Sequence, residues 1–333
     1  MKSLETEVTR QLAIDIPIIC GAMYPCSNPE LVAAVSAAGG LGVIQPLSME
    51  FVHGLSLAEG VRQIQSHTER PVGLNVIVER SSKKYLARME SYVDEALDLG
   101  IRFFVTSLGN PDWVVERARA CGGVVYHDVT ERRWAEKAVD NGVDGLIAVN
   151  GRAGGHAGSH SAAELFDQLA GFQLPLVCAG GVGSEADFVA ALRLGYGAVQ
   201  MGTRFIATDE CTASGDYKNA IVAAREEDIV LTERLTGVPV AVINTPYIQQ
   251  VGTRAGPLAR WMLRGRKRKH WMRMLYSLQS LWKLKRSSYR TFSYRDYLQA
   301  GKSAAGVHEI EPVDRIMQRF AAAARAGRGG SDG

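Results

Sequence analysis

Pro175-Leu176-Val177-Cys178-Ala179-Gly180-Gly181-Val182-Gly183-Ser184 and, shortly after it, Gly197-Ala198-Val199-Gln200-Met201-Gly202-Thr203-Arg204-Phe205 decide the fold. Each is a short apolar run that ends in glycine and leads into a helix start. Ser184 suits an N-cap, with Glu185 and Asp187 in the first turn, where acidic groups favour a helix N-terminus. Two successive strand-to-glycine turns offer backbone N–H groups to an anion. This is how a (β/α)8 barrel binds a phosphate after its last two strands. The alternative is a pair of tight βα turns in which glycine only permits the turn.

Working back from that pair, Gly145-Leu146-Ile147-Ala148-Val149 reads as a buried parallel strand. It opens into Asn150-Gly151-Arg152-Ala153-Gly154-Gly155-His156-Ala157-Gly158. Glycine there lets backbone approach a ligand closely, and an imidazole in such a loop can trade a proton near neutral pH. Candidate strands precede it at 17–20, 41–44, 72–76, 102–106 and 123–127, and follow it at 176–178 and 198–201. Amphipathic runs separate them, as at 29–38, 57–65, 84–99, 113–120, 131–141, 162–169 and 185–194. Eight such units in roughly 200 residues match a closed TIM barrel better than a doubly wound open sheet.

After Cys211 the rhythm stops and the sequence reads as largely helical. The expected division is a barrel over 1–212, a smaller, mainly helical substrate or lid domain over 213–307, and a last helix returning to the barrel before a Gly-rich tail over 308–333.

The chain has 333 residues, 46% apolar and 22% charged, as expected of a globular protein. No apolar run approaches the ~20 residues of a membrane span. The N-terminus lacks the apolar core of a signal peptide. Five scattered cysteines without a CxxC fit a reducing cytoplasm and point away from disulfides and a zinc site.

The net charge of +3 is unevenly spread. Residues 258–290 carry eleven Lys or Arg and no acid, against 27 basic and 35 acidic residues elsewhere. Trp271, Met274, Leu275, Leu278, Leu281 and Trp282 repeat there at helical spacing. The segment reads as a lid helix with a solvated basic face, or as a recruiter of an anionic substrate such as a CoA or carrier-protein thioester. Membrane-surface contact through it is a further expectation. Nucleic-acid binding ranks last, since a basic patch alone says little.

With these motifs in view, the chain resembles the nitronate monooxygenase family, within a wider FMN-dependent group that includes enoyl-ACP reductases and NADH:quinone reductases. The resemblance rests on 17–23 (PIICGAM), 38–42 (AGGLG), 73–76 (GLNV), 153–156 (AGGH), 179–181 (AGG) and 201–205 (MGTRF), and more loosely on 300–306.

It implies FMN at the C-terminal mouth of the barrel. Gly21, Ala22 and Met23 would lie against the isoalloxazine ring, and Asn75 would hydrogen-bond it. Gly180, Gly181, Gly202 and Thr203 would hold the phosphate, with Gly155, Ala179 and Asp128 completing the contacts. His156 would be the catalytic base that takes the α-proton of a nitroalkane, with O2 as co-substrate. His127, His160 and His308 compete with it for that role.

Two departures from the family pattern stand out. Arg152 and Val149 occupy places usually held by Glu and Gln, and Asp128 lies where relatives often carry a neutral or basic residue. Two other functions remain open. One is an NAD(P)H-dependent FMN reductase or dehydrogenase acting on an enoyl or CoA thioester or a quinone. The other is a non-catalytic flavin-binding protein.

Overall fold

The computed structural model describes residues 4–80, 82–234, 238–254 and 297–327. Eight parallel strands close into a barrel in sequence order. They are β1 (Ile18–Cys20), β2 (Leu41–Ile44), β3 (Val72–Ile77), β4 (Phe103–Ser107), β5 (Val124–Val129), β6 (Gly145–Val149), β7 (Leu176–Ala179) and β8 (Ala198–Met201). Ile18, Ile19 and Cys20 pair with Val199, Gln200 and Met201, so the last strand returns to the first. The fold is the (β/α)8 barrel expected from the count of apolar runs.

Strand side chains alternate between two cores, as a pleat requires. Ile19, Val43, Phe103, Val105, Tyr126, Ile147 and Val177 form the barrel interior. Ile18, Leu74, Val76, Phe104, Val125, Leu146 and Val199 face outward into the shell beneath the helices. The short helix α1 (Glu7–Leu12) brings Val8 and Leu12 into the interior cluster. Its N-cap Thr6 donates to the carbonyl of Gly197, at the start of β8, and Tyr126 donates from within the barrel to Gln11. The N-terminal end is therefore plugged, and a ligand has only the opposite mouth.

The outer ring is α2 (Pro29–Ala37), α3 (Pro46–Phe51), α4 (Leu57–Gln65), α5 (Lys83–Asp98), α6 (Asp112–Ala120), α7 (Arg132–Asp140), α8 (Ala162–Leu169), α9 (Glu185–Arg193) and the single turn α10 (Thr203–Ile206). Beyond it come α11 (Gly215–Ala223), α12 (Pro246–Val251) and the C-terminal α13 (Val313–Gly327). Phe320 of α13 meets Phe188 of α9 with ring centroids 5.7 Å apart.

Between α11 and α12 lies an element absent from the sequence reading. An antiparallel hairpin joins β9 (Ile229–Thr232) to β10 (Val240–Ile243). It is not free-standing: Ala241 donates to Gly155, and Ile243 to Leu298. The basic run over 258–290 lies outside the described residues.

Candidate active site

The barrel mouth is built from glycine turns that pack on one another. After β7, Gly180 and Gly181 have φ of 112° and 79°, values that favour residues without a Cβ. Gly180 also sits against the loop after β6, since a Cβ there would come within 2.6 Å of Ala153 N. Asn150 holds that loop in place. Its Nδ2 donates to Gly180 O at 2.9 Å, and its Oδ1 accepts from Arg152 N at 2.8 Å. Asn150 is fully buried, and the sequence reading gave it no role. The signal was available, because Asn is disfavoured at a strand end unless something satisfies it.

Ser184 caps α9 as expected, accepting from Asp187 N. Asp187 in return accepts from the N–H groups of Gly183 and Ser184. The start of α9 thus carries its own carboxylate.

The turn after β8 is joined to this one by the segment at 300–306. Thr203 Oγ1 accepts from Gly301 N at 2.9 Å. That bond leaves the threonine hydroxyl proton available as a donor. A Cβ on Gly183 would fall 2.0 Å from Ser303 O, so the same segment seats on both turns. Gly21 donates to Met201 O, and Met23 Sδ lies 3.2 Å from where a Cβ of Gly202 would stand. The stretch 21–23 therefore lies across the end of β8, beside the Gly202–Thr203 turn. Ala179 is buried within the interior cluster just below.

Across the rim stand Asn75 on β3 and Asp128 on β5, whose neighbours in sequence point outward. Neither side chain is hydrogen-bonded to the glycine turns. Asp128 keeps part of its surface toward the mouth, yet its Oδ1 is enclosed without a partner. Burial pushes its carboxyl up to about 7. Gln200, inward-facing on β8, has an enclosed Oε1 in the same condition. Its side chain lies 3.0 Å from the Cβ position of Gly21. Gln200 is a second mouth residue that the sequence reading passed over. Orphaned acceptors at a barrel mouth call for donors from a ligand, and a flat heterocycle bearing N–H groups fits them.

The elevated Asp128 carboxyl has a consequence for the ligand-free protein. Its folded value lies above the ordinary ~3.9 of an unfolded chain, so the native state holds a proton that the unfolded state releases between about pH 4 and 7. Stability from this group is then present below that window and lost as pH rises through it. Asp128→Asn cannot ionise. In urea unfolding it should gain about 2 kcal/mol or more over the parent at pH 8 and nothing at pH 4, allowing for the part of the residue that faces water. Equal differences at both pH values would contradict the assignment.

His156 is exposed on the loop after β6. Gly155 beside it has φ of 69° and accepts from Ala241 N at 2.9 Å, which ties the loop to the hairpin. The competing histidines are placed differently. His127 is buried on the outward side of β5, hydrogen-bonded through Nδ1 to Thr106 Oγ1 at 2.8 Å. It faces the helix shell and not the mouth, and burial pulls it down to about 4. His160 accepts from Gly151 through its backbone, and His308 is exposed beyond the 300–306 segment. Among the described residues no group of three or more His, Cys, Asp or Glu is placed to hold a metal ion, and no helix is long and apolar enough to cross a membrane.

Comparison with known proteins agrees with the fold. Residues 5–273 match the nitronate monooxygenase family model. The chain belongs to the nitronate monooxygenase family. It is 30% identical to a probable nitronate monooxygenase of Staphylococcus saprophyticus, over 74% of this chain and 81% of that protein. It is 27% identical to a 5-hydroxy-7a-methyl-1-oxo-octahydro-1H-indene-4-carboxyl-CoA dehydrogenase of Rhodococcus jostii, over 75% of this chain and 69% of that one. Among solved structures, FabK from Thermotoga maritima superposes with a TM-score of 0.80 at 28% identity, covering 98% of this chain and 97% of that one. The chain is an oxidoreductase of the nitronate monooxygenase type.

Proposed function

We propose that the mouth binds FMN and that the protein oxidises alkyl nitronates or nitroalkanes with O2. The carrying observation is the convergence of the Gly180–Gly181 and Gly202–Thr203 turns on one segment, beneath a rim with two enclosed, unpartnered acceptors. Gly180, Gly181, Gly202 and Thr203 hold the phosphate. Gly21, Ala22 and Met23 support the ring, while Asn75, Asp128 and Gln200 meet its polar edge. Gly155 and Ala179 close the floor between them. A bound flavin supplies the two-electron acceptor.

His156 takes the α-proton of a neutral nitroalkane, a step for which an imidazole suits. The filled barrel interior keeps the ligand at the surface of the mouth, within reach of the loop that carries His156.

A second reading has support of its own. The Rhodococcus relative is named as a dehydrogenase of a CoA thioester, and eleven basic residues without an acid over 258–290 favour anions. On that reading the protein is an NAD(P)H-dependent reductase or dehydrogenase of a CoA thioester. Oxygen uptake with a nitronate supports the first reading, and rapid NAD(P)H oxidation with a thioester acceptor supports the second.

The cofactor assignment is checked separately. Heating the purified protein should release about one FMN per chain. Gly181→Asp should abolish that release, because at a φ of 79° a Cβ strains the turn and crowds Arg152, and the added carboxylate repels a phosphate. Release of FAD or of no flavin from the parent would contradict the assignment.

A further inference from the structure

Arg152 lies on the loop after β6, beside the glycine turn after β7. Its backbone is fixed from both sides: its N donates to Asn150 Oδ1 at 2.8 Å, and its O accepts from Lys302 N at 3.0 Å. The side chain then runs over the glycine turn after β7. A Cβ on Gly181 would come within 2.7 Å of Arg152 Nε and 3.0 Å of its Cδ. Past the turn, Nη1 meets Glu226 Oε1 at 2.8 Å, and Lys302 Nζ lies 3.4 Å from that same oxygen.

Two cations thus share one carboxylate beside the turn, which leaves one positive charge in excess. All three side chains are about two-fifths exposed, and ion pairs so open to water are weak and readily exchanged. A guanidinium has five N–H donors in a fixed fork, and Glu226 takes only part of it.

We propose that Arg152 reads the phosphate of the bound flavin, with Glu226 as its resting counter-ion, so that the mouth takes FMN in preference to riboflavin. The inference rests on the FMN reading above and adds a specificity residue to it. The glycine turn supplies backbone donors, which any anion accepts. Arg152 supplies charge and a planar fork, which a phosphate dianion rewards and a neutral ribityl hydroxyl does not. Lys302, drawn to the same carboxylate, keeps Glu226 seated when Arg152 turns to the phosphate.

The test is titration of the flavin-free protein with FMN and with riboflavin, followed by quenching of flavin fluorescence at low and high salt. Charge-assisted bonds of this kind are worth roughly ten- to a hundredfold in Kd. Arg152→Gln should therefore raise the Kd for FMN by about tenfold or more, leave that for riboflavin unchanged, and flatten the salt dependence of FMN binding. Arg152→Lys should retain part of the preference. Glu226→Gln, which releases the cation, should tighten FMN binding and leave riboflavin alone.

A parent that binds neither flavin sinks the FMN reading, and this inference with it. A parent that prefers FMN, with the same preference in Arg152→Gln, overturns this inference alone. If Arg152→Gln fails to fold by circular dichroism, unaltered FMN-to-riboflavin ratios in Arg152→Lys and Glu226→Gln overturn it equally.

Discussion

Glu311→Ala is expected to cost the fold about 3–5 kcal/mol, the range for removing one partner of a buried ion pair. Arg204 and Glu311 have side-chain exposures of 2% and 1% and are hydrogen-bonded to each other. Arg204 also donates to the carbonyl of Glu309 at 3.2 Å. From the solvent side Arg319 Nη2 approaches Glu311 at 3.0 Å, and its Nε binds Glu185 of α9 at 2.7 Å. Arg204 directly follows Thr203, so this network ties the segment before α13 to the turn after β8. Without Glu311 the guanidinium is left enclosed and uncompensated. The measurement is a urea unfolding curve, where the midpoint should fall with the slope unchanged. Arg204→Met combined with Glu311→Leu should recover most of the loss, since an apolar pair of similar volume is often neutral or better. A loss below about 1 kcal/mol in Glu311→Ala would show that the pair is already hydrated.

His156→Asn is expected to lower the rate on a neutral nitroalkane by roughly 10²–10⁴, the range for loss of a general base. The substitution touches an exposed position, so the fold and the flavin content should be those of the parent. Asparagine keeps polarity and approximate size but cannot take the proton. On a pre-formed nitronate the proton is already gone, and the loss should be much smaller. The check is flavin reduction followed without oxygen on both substrates. Equal losses on the two would remove His156 from the role of base, leaving it a binding group at most.

The barrel was legible because each of its strands is a short apolar run that ends near a glycine or a polar residue, and the runs recur with helical intervals between them. The parts that were not legible depend on partners far away in sequence. The hairpin escaped notice because β9, Ile229–Thr232, is half-exposed, with Leu231 57% accessible, and is flanked by charges. Its buried partner, Val240–Ile243, carries three β-branched residues but lies in a stretch whose periodicity is too short to separate strand from helix. The α1 plug is a single capped turn and a half, below the length at which amphipathicity speaks.

At the site, the glycines were readable because close backbone approach and positive φ leave a mark in composition. The roles of Asn150, Gln200, Arg152 and the Arg204–Glu311 pair were not, because each is defined by a contact made across the fold. His127 shows the converse. Its place near a strand end left it a competitor in sequence, and one residue of pleat turned it away from the mouth.

The most direct measurement mixes the purified, flavin-loaded protein with an alkyl nitronate in the absence of oxygen, and separately with NADH and NADPH, then admits oxygen. Loss of the oxidised flavin absorbance with the nitronate, slow or no loss with either nicotinamide, and oxygen uptake on admission are the predicted results. Rapid loss with NADH or NADPH and none with the nitronate would contradict the account and move the protein to the reductases and dehydrogenases.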